Sequence, residues 1–242
     1  MNKRFFIFSL VLSCAASLMA DAAAKPKADK GFKTIFNGKN LKGWTGDPKV
    51  WSVQDGVIVG RNTAEEPIKA NTFLIWTNGT VGDFELRLSY KSLNGNSCIQ
   101  YRSKVLDPAT WLVGGYQADF EAGTKWSGIL YDEKGRGILG ERGQKTVVKP
   151  GGEGKKKASV QVVGSVGNPD EIQAKIKSED WNDYVVIAKD NHLIHKINGV
   201  TTVEVTDEDA ANAAKSGILA FQVHTGPPMT VMFKDVRVKA LK

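Results

Sequence analysis

The chain has 242 residues, of which 41% are hydrophobic and 24% charged, with a formal net charge of +7. That length buries a sizeable core unaided, and the composition excludes collagen-like, coiled-coil and wholly disordered architectures. The positive charge is scattered; its one local run, Lys155-Lys156-Lys157 in a glycine-rich stretch, reads as a solvated loop, so no nucleic-acid partner is expected.

Residues 1–20 read MNKRFFIFSLVLSCAASLMA, with a basic start, an apolar stretch from Phe5 to Leu12 and small residues after it. This is the pattern of a secretory signal peptide cleaved after Ala20. The apolar stretch is too short for a lasting transmembrane anchor. A periplasmic or secreted location is therefore expected. Cys14, after Val11-Leu12-Ser13, sits in a poor lipobox, so soluble export is favoured over lipidation. Residues 21–30 read as a linker and 31–242 as a single β-sandwich domain. With Cys14 removed, Cys98 is the one remaining thiol, which leaves no intrachain disulfide and points to a buried structural cysteine.

From there the dominant period is two. Runs of alternating or continuous apolar residues occur at Trp51–Gly60, Phe73–Trp76, Asp83–Lys91, Ser97–Ser103, Gly115–Phe120 and Gly128–Tyr131. They resume at Tyr184–Lys189, His192–Ile197, Thr201–Val205, Ile218–Val223 and Val231–Val238. In Asp83–Lys91, Phe84, Leu86, Leu88 and Tyr90 fall on one face and Glu85, Arg87 and Ser89 on the other, as in a half-buried strand. Turn dipeptides separate the runs, and Asn198-Gly199 is a strong hairpin signal. Residues 150–168 read as an insertion or long loop. Asp170–Lys177 and Asp207–Lys215 are the two expected short helices, the second with Thr206 as N-cap. Many short strands without alternating helices predict an all-β fold, an antiparallel two-sheet jelly-roll sandwich. The last strand is expected to pair near the first, Phe32–Phe36.

Strand parity supplies the candidate site. Asn96, Cys98, Gln100 and Arg102 share one face of their strand. Gln117, Asp119 and Glu121 share a face of theirs, and Ala220, Gln222 and His224 a face of a third. A solvated sheet face normally carries Lys, Glu, Thr and Ser. Amides with an arginine, a carboxylate and an imidazole instead suit the recognition of sugar hydroxyls. Trp111, Trp126 and Tyr131 could stack on a sugar ring. His195 lies on an apolar face between Leu193 and Ile197, where a core role competes with a site role. Glu141-Arg142, in a glycine-rich loop, either overhangs a site or forms a surface hairpin. No zinc, calcium, phosphate-loop or serine-nucleophile motif is present.

Eight segments in order carry a resemblance: IFNGKNLKGW, WSVQDGVIVG, DFELRLSYK, NSCIQYRS, GGYQADF, SGILYDE, WNDYVVIAKDNHLIHKINGV and GILAFQVHTGPPMTVMFKDVRVK. Over about residues 31–241 the chain resembles the 3-keto-disaccharide hydrolase domain family, with Cys98 where the family usually has a small residue. The resemblance implies a concanavalin A-like jelly roll, export from a bacterium, and action on glycosides already oxidised at C3. A ketone at C3 acidifies the C2 hydrogen, so a base can remove it, the C1 oxygen leaves by elimination, and water adds back. On that chemistry Asp119 or His224 is the base or a metal ligand, and Arg102 polarises the carbonyl. Asn96, Gln117, Gln100 and Gln222 hold hydroxyls. Tyr131 donates a proton or stacks, and Glu141 and His195 are reserves. The resemblance also allows a divalent metal ion, with Asp119 and His224 supplying two ligands.

The partner expected on this reading is a glycoside or oligosaccharide. The alternatives are a non-catalytic carbohydrate-binding module of the same fold, which would bind glycan without forming product, and a structural envelope protein, in which the polar set would be freely replaceable.

Overall fold

The computed structural model describes residues 30–151 and 158–242. The expected signal peptide with Cys14, nearly all of the linker and Lys155–Lys157 lie outside these residues. In chain order the strands are β1 (Lys33–Thr34), β2 (Trp44–Thr45), β3 (Trp51–Gln54), β4 (Val57–Asn62), β5 (Thr72–Trp76), β6 (Phe84–Leu93), β7 (Asn96–Asp107), β8 (Leu112–Glu121), β9 (Leu130–Glu133), β10 (Gly137–Gly140), β11 (Gln144–Lys149) and β12 (Ser159–Ser165). Helix α1 (Pro169–Gln173) follows, then β13 (Asn182–Lys189), β14 (His192–Ile197), β15 (Val200–Asp207), β16 (Ile218–Val223) and β17 (Met229–Ala240).

These strands form two sheets packed as a jelly-roll sandwich. One runs β12-β11-β15-β14-β13-β6-β17-β4-β3, with β1 added on β17; the other runs β10-β9-β8-β7-β16-β5-β2. Neighbours are antiparallel except β11 and β15, which are parallel. The first and last strands meet as expected, Lys33 opposite Val238 and Thr34 opposite Arg237. In β6 the alternation of the sequence is the alternation of burial: Phe84, Leu86, Leu88 and Tyr90 point into the sandwich. The sheets meet through aromatic rings, with Phe221 of β16 stacked on Phe233 of β17 at 4.0 Å and Tyr90 of β6 against Phe120 of β8 at 4.0 Å. Each such ring contributes roughly 1.5–3 kcal/mol by leaving water.

The hairpin between β14 and β15 turns at Asn198 (φ 49°) and Gly199 (φ 81°). Positive φ at both residues is what a tight right-twisted hairpin requires, and Asn-Gly supplies it at least cost.

The run Trp51–Gly60 is the hairpin β3–β4, turning at the Asp55-Gly56 dipeptide. Two expectations are corrected. Asp207–Lys215 is not a helix: Thr206 and Asp207 still belong to β15, and Asp207 and Asp209 are drawn inward to Arg136, whose Nη2 lies 2.7 Å from Asp207 and Nη1 3.4 Å from Asp209. The stretch 150–168 is not all loop, because β12 pairs with β11 at the edge of the larger sheet.

The smaller sheet positions the site. Its inner face, including Ile99, Tyr101, Ala118, Phe120 and Phe221, belongs to the main core. Its outer face is divided. Phe73, Ile75, Cys98, Val113 and Ala220 form a second apolar cluster against which Trp111 and Leu112 pack. Beyond that covered part the same face stays open.

Candidate active site

A cleft of about 570 Å³ occupies the open part of that face. Its polar lining comes from several strands of one sheet. Asn96 begins β7; Gln117, Asp119 and Glu121 alternate along β8; Tyr131 and Glu133 alternate along β9; His224 follows β16. Register brings them together, since Gln117 stands opposite Tyr131 on one side and Gln100 on the other, while Asp119 faces Cys98. Asn96, Gln117, Asp119, Tyr131 and His224 of the expected set therefore share one hollow.

One wall is the segment between β8 and β9. Glu121 Oε1 accepts from the backbone N–H groups of Lys125 (2.5 Å) and Trp126 (2.8 Å), curling the segment so that Trp126 lines the cleft. Lys125 Nζ lies 4.3 Å over the Trp126 ring. Arg142 clamps this wall from outside, donating to the carbonyls of Thr124 (2.8 Å), Ser127 (2.8 Å) and Pro169 (3.1 Å). At Gly128 (φ 84°) a Cβ would lie 2.6 Å from that of Thr202, so only glycine fits where the wall crosses β15.

The lining is acidic despite the basic chain. It carries three carboxylates, Asp119, Glu121 and Glu133, and among its described residues no Lys or Arg. Asp119 is nearly buried, and burial pushes its carboxyl well above its ordinary pKa; Glu133 and Glu121 add to the rise, and a hydrogen bond from Gln117 Nε2 to Oδ1 (2.6 Å) opposes it. Burial also raises the Tyr131 hydroxyl, helped by Glu133 and Asp119, so it remains a donor at neutral pH. His224 Nδ1 lies 2.5 Å from the Thr225 carbonyl, to which it donates. The other ring nitrogen is then the one available for proton transfer.

The remaining expected residues lie elsewhere. Arg102 does not reach the cleft. A β-bulge interrupts the β7–β8 register after Tyr101, and Arg102 itself has φ 47°. Its buried guanidinium is consumed at another site, donating to the carbonyls of Gly82 (2.8 Å) and Asp190 (2.6 Å) and pairing with Asp83 (2.8 Å). Gln100 is fully buried beside Gln117, outside the lining. Gln222 is fully buried on the same sheet, and neither its side-chain nitrogen nor its oxygen has a hydrogen-bond partner. Glu141 is exposed, its carboxylate 3.4 Å from Gln144 Nε2. His195 lies between the sheets. Its Nδ1–H donates to the Ile129 carbonyl (3.2 Å), and its Nε2 accepts from the Tyr101 hydroxyl (2.9 Å). Burial pushes its pKa down to about 3, so it is a neutral core residue that braces the back of the cleft through Ile129.

A divalent ion does not fit the donors present. Asp119 and His224 both line the cleft, yet the described residues hold no group of three or more His, Cys, Asp or Glu side chains able to take a metal. Two ligands fall short of a site.

Sequence reasoning puts Glu121 on the polar face of its strand without giving it a role, and it singles out neither Glu133 nor Arg142 as the clamp on the Trp126 wall. Glu133 lies two residues after Tyr131 on the same face of β9, so strand parity applied to Tyr131 reaches it. Parity does not reach Arg142, because its partners are backbone carbonyls distant in sequence.

The sequence matches, over residues 31–239, the family model described as the 3-keto-alpha-glucoside-1,2-lyase-like domain. No curated protein matches it. Among solved structures, two Parabacteroides distasonis proteins provisionally named glycosyl hydrolases share the fold. One has 22% identity and TM-score 0.56 over 88% of this chain and 94% of its own; the other has 18% and 0.55 over 87% and 99%. The Bacillus subtilis carbohydrate-binding module CBM66 is similar with 14% identity and TM-score 0.50 over 82% of this chain and 96% of its own. At these identities the likeness is one of fold.

Proposed function

We propose a function from one premise: the chain belongs to the 3-keto-alpha-glucoside-1,2-lyase-like domain family. The reading is that the protein cleaves glycosides oxidised at C3 by elimination across C1 and C2, followed by addition of water. The observation that carries it is the gathering of Asp119, Tyr131 and His224 with Asn96 and Gln117 in one cleft of sugar size, walled by Trp126.

In this reading the C3 ketone makes the C2 hydrogen acidic, and Asp119 takes it. Burial beside Glu121 and Glu133 strengthens Asp119 as a base, since a raised pKa lies nearer the working pH. Negative charge passes to the ketone oxygen as the C2–H bond breaks. With Arg102 engaged elsewhere, hydrogen bonds from Tyr131 and Asn96 stabilise that oxygen. The electron pair then forms the C1–C2 double bond as the C1–O bond breaks, and His224, entering the step as the imidazolium with Nδ1–H held by the Thr225 carbonyl, gives its Nε2 proton to the departing oxygen and is left neutral. Water adds to the resulting enone, its hydroxyl at C1 and a proton at C2, for net hydrolysis. No oxocarbenium ion is needed, and hence no spaced carboxylate pair of the ordinary glycosidase kind.

The N-terminal basic and apolar pattern supports export as part of this reading, and no described helix is long and apolar enough to cross a membrane. The acidic lining disfavours phosphate-bearing ligands, including nucleic acid.

A second reading is a non-catalytic carbohydrate-binding module, favoured by the Trp126 wall and by the fold shared with CBM66. One assay separates them. Purified protein is incubated with an aryl 3-keto-glucoside and with the unoxidised glucoside. Release of the aryl alcohol from the oxidised compound alone supports the enzyme; saturable binding of both with no product supports the module.

A further inference from the structure

Gln117 is one link in a longer line of buried polar groups beneath the cleft. The Ser103 hydroxyl donates to Gln100 Oε1 (2.6 Å), Gln100 Nε2 donates to Gln117 Oε1 (2.7 Å), and Gln117 Nε2 donates to Asp119 Oδ1 (2.6 Å). Ser103 and Gln100 are at most 1% exposed and lie outside the cleft lining, so neither touches a ligand there. We propose that Ser103 and Gln100 act through Gln117 as positioning residues that anchor Asp119 Oδ1 and leave Oδ2 as the oxygen that exchanges a proton with the substrate. The inference rests on the proposed role of Asp119 in proton transfer.

The direction of the line follows from donor and acceptor chemistry. An ionised carboxylate only accepts, so Gln117 must present its NH₂ to Asp119 and its carbonyl oxygen to Gln100. Gln100 must then turn its own NH₂ toward Gln117, which leaves its oxygen in need of a donor. Ser103 is the group that can close the line. Its hydroxyl is otherwise near only the carbonyls of Tyr101 (3.0 Å) and Tyr116 (3.3 Å), which are acceptors. The β-bulge that removes Arg102 from the cleft lies at this same place and turns Ser103 toward Gln100. Every link is buried, so a reversed amide would leave an unpaired polar group and is costly. Protonation of Asp119 at Oδ2 leaves the line intact, because Oδ1 remains an acceptor. No proton moves along it.

The titratable groups around Asp119 are Glu121 on its own strand, Tyr131 and Glu133 on β9, Cys98 opposite on β7, Tyr184 from the facing sheet and His224 across the cleft. Gln100 also hydrogen-bonds the Cys98 thiol, which burial keeps protonated, so Gln100→Met is read together with Ser103→Ala, which leaves that contact in place.

The test uses the intact chain with ¹³C-labelled aspartate carboxyls, the Asp119 signal being assigned by its loss in Asp119→Asn. In Gln100→Met, similar in size but unable to hydrogen-bond, the Asp119 midpoint should move up by about one pH unit as the donation from Gln117 loosens. The kcat for a 3-keto-glycoside should fall about tenfold with KM changed less than about twofold, and the acid limb of the kcat profile should move with the midpoint. Ser103→Ala should shift the midpoint the same way by less, and Ser103→Thr, which keeps the hydroxyl, should restore it. An Asp119 midpoint that is the same in wild type, Gln100→Met and Ser103→Ala overturns the inference. If the wild type turns over no 3-keto-glycoside, the functional reading fails instead, and the carboxyl midpoints still decide whether the line anchors Asp119.

Discussion

Arg142 Nη1 donates to the carbonyl of Ser127 over 2.8 Å, and through this bond and its companions one arginine holds the whole wall that carries Trp126. The side chain is engaged with backbone, so it supplies no charge to the ligand; it fixes where the indole stands. Trp126→Ala should raise KM for a glycoside about tenfold with little change in kcat, the loss of one aromatic surface against a sugar. Arg142→Ala should raise KM in the same direction by loosening the wall. Steady-state kinetics on both variants check this, and tryptophan fluorescence on the arginine variant reports whether the indole has left its place.

Asp119 is held against its solvation preference, which gives a second expectation with opposite signs for activity and stability. Its folded pKa is raised, so the native state keeps a proton that the unfolded state releases above about pH 3.8. Stability is therefore lost as pH rises from there through the folded value. Asp119→Asn removes that loss. It should lower kcat at least about 100-fold and raise the urea midpoint at pH 7 to 8. A variant that is both slow and less stable would identify Asp119 as structural.

His195 acts in the other pH range. Its folded pKa is about 3 against 6.5 in the unfolded chain. Below pH 6.5 the unfolded state takes up a proton that the core refuses, so stability falls as pH drops from 6.5 toward 3, by up to about 1.4 kcal/mol per pH unit. His195→Gln keeps a donor for the Ile129 carbonyl and cannot be charged. Its urea midpoint should be flatter than the wild type's between pH 6.5 and 4, and equal slopes would contradict the placement of a neutral His195.

Arg136 is the centre of a buried ionic group away from the cleft. It pairs with Asp132 (2.7 Å), Asp207 (2.7 Å) and Asp209 (3.4 Å), while the Tyr116 hydroxyl donates to Asp207 (2.5 Å). Burial would lower its pKa, but the hydrogen bonds to Asp207 and Asp132 more than reverse this and keep it charged. Arg136→Met leaves three carboxylates without their cation and should cost about 3–5 kcal/mol in chemical denaturation. Turnover by the protein that remains folded should be unchanged, because the group does not touch the cleft.

The fold was legible where local pattern and final environment agree. Phe84, Leu86, Leu88 and Tyr90 alternate in sequence and in burial, and Asn198-Gly199 turns where such a pair must. The outer face of the smaller sheet was only partly legible. Gln100 and Gln117 have the same parity and chemistry, yet one is sealed and the other lines the cleft, on a face that Trp111 and Leu112 cover only in part. No local pattern carries that information. Arg102 shows the same limit: parity puts it beside Gln100 until a bulge turns the strand. Asp207–Lys215 has helical spacing, but Arg136, about seventy residues earlier, draws its first acidic side chains inward and ends the chance of a helix.

Removal of the C2 hydrogen is the step on which the functional account stands, and an isotope measures it. An aryl 3-keto-glucoside carrying deuterium at C2 should be cleaved more slowly than the protiated compound, with a primary isotope effect on kcat/KM that Asp119→Asn does not retain at any measurable rate. Equal rates for the two isotopologues, with the C2 deuterium kept in the released sugar, would contradict elimination and the role given to Asp119.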